Sequence, residues 1–219
     1  MPLQNRVTPF GDIVAIRERG TIMGNRGSLH GNDRQLGTRR WSRKSWVCCR
    51  LEWKDIRREV MAPGRYTELF FLDDATSLAA GHRPCNDCRR EDLQFFCQTV
   101  GRVLGGATSK PPRVAVIDEA MHADRISPNG SKRTYEAALI DIPNGVMFSL
   151  DNRADEAWLK WQDGVWRYSP SGYTLEQNWP RESALQVLTP RVTVLAIKAG
   201  YVPTVHPTAA KGRNLVRSP

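Results

Sequence analysis

The chain has 219 residues and a formal net charge of +9 at neutral pH, with 40% apolar and 25% charged residues. This apolar fraction can form a buried core and excludes an intrinsically disordered chain. No apolar run reaches the roughly 18 residues that a membrane-spanning helix needs, and the N-terminus lacks the pattern of a secretory signal. We therefore expect a cytoplasmic globular protein with no membrane partner.

The positive charge is concentrated in the first third of the chain. Residues 1–65 carry 14 Lys and Arg against 6 Asp and Glu, whereas the remainder is almost neutral. Such a local excess attracts polyanions, of which nucleic acid is the commonest. Plain solubility is the alternative explanation, and charge alone does not decide between the two.

Local patterns predict the elements of the first half in chain order. Residues 26–44 are rich in Gly, Asn, Ser and Arg, which indicates an extended loop. Alternation predicts a strand over 46–53, with Val47, Cys49 and Leu51 on one face.

Further along, the pattern predicts one more strand and two helices. The strand covers 66–72. Asp73 is suited to be the N-cap of a short helix that Gly81 ends, and helical spacing predicts a longer helix over 90–104.

The second half begins after Gly- and Pro-rich residues 105–112, which predict a linker. A helix is expected over 113–126. Trp158 to Tyr168 then predicts a hairpin, because Asp163-Gly164 can supply the positive φ angles of a tight turn. A helix is expected over 190–199, after the strands of this half.

Together these elements predict an α+β fold. A small lobe of strands and helices held by zinc would occupy residues 1–104, and a largely antiparallel β lobe with flanking helices would occupy 113–206. Residues 207–219 are expected to form a flexible tail.

The most specific motif is Cys85-Asn-Asp-Cys88, preceded by Pro84. Two thiolates at this spacing form half of a tetrahedral zinc site. A redox pair is the alternative, but such motifs open a helix after a strand, whereas this one follows a helix that Gly81 ends. An odd total of five cysteines, two of them adjacent, also favours metal ligation over a disulfide framework.

Residues 71–90, FLDDATSLAAGHRPCNDCRR, resemble the second half of the Ada-type metal-binding domain, and residues 23–30, MGNRGSLH, are similar to the entry of some of its variants. The resemblance covers about residues 21–92. It implies that His30 and a cysteine of the Cys48-Cys49 pair complete the zinc site with Cys85 and Cys88. Cys49 is preferred because it shares a strand face with Val47, and Cys48 remains the alternative.

The longer spacing between His30 and Cys49 departs from compact members of that family. His82 therefore competes as the fourth ligand. Because a histidine in place of one thiolate makes the bound sulfurs poorer nucleophiles, we expect a structural site and not a methyl acceptor.

Basic and aromatic residues around the zinc motif predict a nucleic-acid face. Guanidinium groups contact phosphates and an indole can stack on a base. Trp46 and Trp53 are expected in the core. The candidate contacts are Arg39, Arg40, Trp41, Arg43, Lys44, Arg83, Arg89 and Arg90.

One constellation in the second half could be catalytic. Asp118, His122 and Arg125 are spaced four and three residues apart and would share a helix face. Such groupings are common on solvated helices, which is the preferred interpretation.

The sequence thus predicts a zinc-stabilised protein that binds nucleic acid, with DNA as the expected partner, through phosphate-dominated contacts. DNA repair or genome defence is the associated role. The alternatives are an enzyme that acts on DNA or a modified nucleotide, and a protein-interaction module in which zinc is only a staple.

Overall fold

A computed structural model of the chain describes residues 1–55, 57, 59–105, 110–151, 153–177, 179 and 184–211. Within these ranges the chain forms five α-helices, a short 3-10 helix and two six-stranded sheets, which confirms an α+β fold. Residues 106–109 of the predicted linker and 212–219 of the predicted tail lie outside the described residues. In the described ranges, no helix combines the length and hydropathy that crossing a bilayer requires.

The first sheet is mixed and consists of short strands: β1 (Arg6–Val7), β2 (Ile13–Val14), β3 (Ile22–Asn25), β4 (Val47–Cys49), β5 (Leu69–Phe71) and β6 (Arg83–Pro84). Their spatial order is β2-β1-β5-β3-β4-β6. Strands β1 and β5 are parallel, as are β4 and β6, and the other neighbours are antiparallel.

The second sheet is antiparallel throughout: β7 (Tyr135–Ala137), β8 (Met147–Leu150), β9 (Arg153–Trp161), β10 (Gly164–Ser169), β11 (Gly172–Glu176) and β12 (Leu185–Val187). Its order is β11-β10-β9-β8-β12-β7. The 3-10 helix, Leu139–Asp141, follows β7.

The helices are α1 (Asp74–Ala79), α2 (Arg90–Gly105), α3 (Val114–Arg125), α4 (Arg191–Lys198) and α5 (Thr208–Lys211). As the sequence predicted, Asp73 is the N-cap of α1, and its carboxylate accepts a hydrogen bond from the Thr76 amide at 2.8 Å. Gly81 follows α1 with φ +89°, a left-handed conformation that glycine adopts without strain.

The second sheet is covered on both faces, because successive side chains of a strand point in opposite directions. Phe148 and Trp158 pack in a core cluster with Phe96 of α2 and Val194 of α4. Their neighbours on the opposite face form a second cluster with α1, in which Ala75 and Ala79 meet Met147, Leu159 and Trp166. Helix α1 thus lies between the two sheets.

Polar contacts at the start of α1 also join the two halves of the chain. The Asp73 carboxylate accepts hydrogen bonds from the Tyr173 hydroxyl at 3.1 Å and from the His206 amide at 2.9 Å. The Asp74 carboxylate accepts one from the Tyr201 hydroxyl at 3.3 Å. All three donors come from the second half of the sequence.

Two local predictions require correction. Strand β4 ends at Cys49, so Leu51 does not share its inward face and is 43% exposed. The predicted hairpin is present as β9 and β10, but the positive φ of its turn belongs to Gln162, at 54°, and Gly164 already lies in β10.

Candidate metal centre and its basic surroundings

Three cysteines converge where β4, β6 and the start of α2 meet. The Sγ atoms of Cys49, Cys85 and Cys88 all lie within 4.8 Å of one another. Parallel pairing sets this geometry, because Cys48 lies opposite Pro84 and the Cys85 amide donates to the Cys48 carbonyl at 2.9 Å. Cys49 follows Cys48 and Cys85 follows Pro84, so their thiols lie close together.

The surroundings of these thiols suit a bound cation. Met23 and Phe70 pack around the group, which is largely buried. The Asp87 amide donates to the Cys85 sulfur at 3.5 Å, as expected for a sulfur that carries negative charge. Hydrogen bonds from the Cys49 and Cys88 thiols lower the pKa of Cys85. Cys49 is a donor in these contacts, so its own pKa is raised. The arrangement can hold a metal ion by three thiolates.

Cys48 faces away from this group. Its sulfur is fully buried, donates to an Asp74 carboxylate oxygen at 3.5 Å and accepts from Arg89 at 2.9 Å. Burial, together with the Asp74 charge, raises the pKa of Cys48 to about 12. Cys48 is therefore a neutral thiol within a buried polar network.

The structure does not bring the two candidate histidines to the cysteine group. His30 is half-buried, with Nδ1 2.6 Å from the Thr67 hydroxyl and Nε2 3.2 Å from the Ala62 carbonyl. His82 is fully buried, and its Nε2 accepts from Arg26 Nε at 3.2 Å. Among the described residues, the group that can hold a metal consists of cysteines alone.

Two of the candidate phosphate contacts are buried. Arg83 donates from Nε and Nη2 to the two oxygens of Asp118, both at 2.8 Å. Arg89 makes the same two-point contact with Asp74, at 2.7 and 2.9 Å. These guanidinium groups hold elements together in the interior and do not face solvent.

The remaining basic candidates are exposed. Arg39, Arg40 and Arg43 form no ion pair in the described part of the chain, whereas Lys44 pairs with Glu119 at 2.5 Å. Arg90 is also exposed, at the first residue of α2. Trp41 is half-buried among the arginines, and its ring centre lies 6.0 Å from that of Trp46.

The helix α3 candidates separate into two environments. Asp118 is committed to Arg83, while His122 Nδ1 lies 3.1 Å from Arg125 Nη2. Burial lowers the pKa of His122, and the Arg125 charge lowers it further. Arg125 is 1% exposed and donates to the Gly81 carbonyl at 2.8 Å. Two of the three residues thus meet, but Asp118 is engaged elsewhere.

The sequence did not indicate that Arg26 is buried. Arg26 is 1% exposed, and its guanidinium carbon lies 4.1 Å from the Trp46 ring centre, while that of Arg125 lies 3.9 Å from the same ring. Charge and loop composition carry no signal for this, because the burial depends on contacts between distant segments.

Comparison with known proteins adds no family: no family model, no curated protein and no solved structure matches the chain significantly. The site is therefore interpreted from its own geometry.

Proposed function

We propose that this chain is a zinc-stabilised nucleic-acid-binding protein, with DNA as the expected partner, and that the basic loop (residues 37–44) grips phosphates. The observation that carries the proposal is the exposure of Arg39, Arg40 and Arg43 without ion-pair partners among the described residues, next to the half-buried Trp41. Unpaired exposed guanidinium groups bind phosphates at little desolvation cost.

Zinc is the metal that best fits the cysteine group. Thiolate ligands favour zinc among the common cellular divalent cations, and tetrahedral zinc accepts three thiolates plus one further ligand. The resemblance to the Ada-type domain supports the same choice. Because the thiols come from segments far apart in sequence, zinc would contribute on the order of 10 kcal/mol to the folding free energy.

The metal assignment is tested by elemental analysis of purified protein together with two cysteine variants. We expect one zinc per chain in the wild type, and a loss of zinc in Cys88→Ala. Cys97→Ala is the matched control, because Cys97 is buried in the helical core away from the group. Equal zinc in the wild type and Cys88→Ala would contradict the assignment.

Phosphate-dominated binding has a characteristic dependence on salt. If the three unpaired arginines each neutralise one phosphate of a single strand, the logarithm of the binding constant falls with the logarithm of the salt concentration with a slope of about −2. A fourfold rise in salt would then weaken binding by about 20-fold. The basic loop offers no helix to a base edge, so weak sequence preference is expected.

The nucleic-acid proposal is tested by titrating a labelled single-stranded oligonucleotide and a duplex across a range of salt. Arg39→Ala/Arg43→Ala should make the slope shallower by about 1.4, which is about 0.7 for each arginine. The exposed pair Arg102→Ala/Lys198→Ala is the control for net charge and should leave the slope unchanged. Affinity that does not vary with salt would overturn the proposal.

A further inference from the structure

The structure contains a recess beside the basic loop that concentrates positive charge. It has a volume of about 310 Å³, and Arg26, Arg125 and Lys132 line it together with Trp41 and Trp46. This volume lies at the lower end of the range for small-molecule sites. The recess is distinct from the cysteine group, none of whose members lines it.

The three cations lack counterions. In the part of the chain that the structure describes, none of Arg26, Arg125 and Lys132 forms an ion pair with a carboxylate. Asp12, which is exposed at the edge of the recess, is the carboxylate among its lining residues. Arg40 adds another positive charge to the lining. Buried unpaired charge is costly, so the arrangement favours an anion that enters from outside.

Two buried guanidinium nitrogens at the recess have no hydrogen-bond partner in the part of the chain that the structure describes. Arg26 donates from Nε to His82 and from Nη1 to the Gly11 carbonyl at 2.9 Å, but its Nη2 has no hydrogen-bond partner among the described residues. Gly11 also lines the recess, and a Cβ atom added to it would lie 3.6 Å from this Nη2. Arg125 Nε is also buried and has no hydrogen-bond partner within the described ranges. Both unpartnered atoms belong to side chains that are 99% buried and line the recess.

His82 cannot supply another positive charge. Burial, together with the nearby Arg26 and Arg125, lowers the pKa of His82 well below its ordinary value, so the ring is neutral. Its Nε2 accepts from Arg26, which fixes the proton on Nδ1. The ring therefore orients the Arg26 guanidinium without competing for an anion.

Lys132 completes the lining with an ammonium group that donates to the Ala79 carbonyl at 2.6 Å. Burial, then repulsion from Arg26, lowers the pKa of Lys132 to about 7, with Arg125 acting in the same direction and Asp12 opposing. Burial lowers the pKa of Arg26 and of Arg125 to about 9, so both guanidinium groups stay charged at neutral pH.

From this geometry we infer that the recess binds a phosphate monoester, whose oxygens accept from Arg26, Arg125 and Lys132. A tetrahedral dianion offers several acceptors at once and matches the cations Arg26, Arg125 and Lys132, with Arg40 nearby and one carboxylate in the lining. The half-buried Trp41 ring, which also lines the recess, offers a flat surface for the group attached to the phosphate. The inference goes beyond the proposed function, because the recess would bind a small anion whether or not the basic loop binds nucleic acid.

Calorimetric titration with sulfate tests the site, because sulfate keeps its charge across the neutral range while Lys132 titrates. Binding should weaken as the pH rises from about 6.5 to 8.5, since Lys132 must take up a proton to pair with the anion and loses it near its pKa of about 7. Lys132→Met should weaken sulfate binding by about 10- to 100-fold and abolish this pH dependence. The exposed Lys198→Met is the control and should bind as the wild type does.

Thermal unfolding without the anion separates a binding role from a structural one. If Lys132 is a repulsive charge held for a ligand, Lys132→Met should raise the Tm of the free protein and remove the increase in Tm that sulfate causes in the wild type. A lower Tm together with unchanged sulfate affinity would overturn the inference. So would an absence of sulfate and phosphate binding by the wild type.

The source of the phosphate is distinguished by a second set of ligands: inorganic phosphate, a 5′-mononucleotide, and one oligonucleotide with either a 5′-phosphate or a 5′-hydroxyl. Tighter binding of the 5′-phosphorylated strand, lost in Lys132→Met, assigns the recess to a nucleic-acid end. Equal binding of the two strands alongside binding of the mononucleotide assigns it to a free nucleotide. Arg39→Ala/Arg43→Ala should retain sulfate binding, so failure of the proposed function is seen separately.

Discussion

The buried ion pair between Arg83 and Asp118 gives the most exacting test of the fold. The side chain of Arg83 is 3% exposed and that of Asp118 is 11% exposed, and two hydrogen bonds of 2.8 Å join them. Replacing Asp118 with Ala removes both acceptors and leaves the guanidinium buried without a countercharge. Each hydrogen bond to a charged group is worth about 1.5–3 kcal/mol, so Asp118→Ala should lower the free energy of unfolding by about 3–5 kcal/mol.

Urea unfolding with excess zinc, the metal that we propose for the cysteine group, measures this loss while any metal binding is held constant. The double variant Arg83→Met/Asp118→Leu should recover most of the stability, because replacing both charges with apolar groups leaves no buried charge without its partner. Glu119→Ala on the same helix is the control. Its pair with Lys44 is exposed, and the substitution should cost less than about 1 kcal/mol.

The outcome also bears on function, because Arg83 was a candidate phosphate contact and Asp118 a candidate catalytic residue. If Asp118→Ala unfolds at the same urea concentration as the wild type, the pair does not hold α3 to the first sheet and the reasoning from burial fails. If the single and double variants are equally unstable, the loss comes from packing and not from the unpaired charge.

Three further predictions follow from local geometry. Gly81→Ala should destabilise the fold by more than about 1 kcal/mol in urea unfolding, because φ is +89° and the new Cβ would lie 2.5 Å from Arg125 Cδ; a neutral effect would contradict this turn geometry. Burial raises the pKa of Asp73 despite hydrogen bonds from Thr76 and Tyr173, so the folded state binds this proton more tightly than the unfolded chain does. The advantage of the wild type over Asp73→Asn should therefore grow as the pH falls from neutral toward about 4 in paired unfolding curves, and a shrinking advantage would refute this. Chelation of the zinc that we propose for the cysteine group should reduce amide hydrogen-exchange protection in the first sheet before the second, and simultaneous loss would show that the cysteine group does not act locally.

Elements with strong local signals could be predicted from the sequence. Asp73 and Gly81 mark the two ends of α1 as predicted. The helices predicted over 90–104, 113–126 and 190–199 agree with α2, α3 and α4 to within two residues. The pattern from Trp158 to Tyr168 located the hairpin of β9 and β10. These signals come from residues that are close together in the chain, so the sequence alone reveals them.

What the sequence could not supply depends on pairing between distant segments. The two-residue strands β1, β2 and β6 have no periodicity to detect and exist through pairing with strands elsewhere in the sheet. The same applies to burial of charge. In the sequence, Arg83 and Arg89 look like members of a basic surface. The structure shows that α1 and α3 bring a carboxylate to each of them.

The candidate site shows the same division. The Cys85-x-x-Cys88 spacing indicated half of a metal site, and strand alternation favoured Cys49 as the third thiol, which is the cysteine that the structure places beside them. The resemblance implied His30 as well, but that ring contacts Thr67 and the Ala62 carbonyl. The recess around Arg26 had no counterpart in the sequence, because Arg125 and Lys132 reach it from the second half of the chain.

The adjacent carboxylates at the start of α1 limit how this molecule can be divided. A fragment ending near residue 105 would keep Asp73 and Asp74 but lose the hydroxyl groups of Tyr173 and Tyr201 that satisfy them. It would also expose the apolar side of α1 that the second sheet covers. Separate production of the two halves should therefore give insoluble or protease-sensitive material, and activity assays need the intact polypeptide or co-expressed halves.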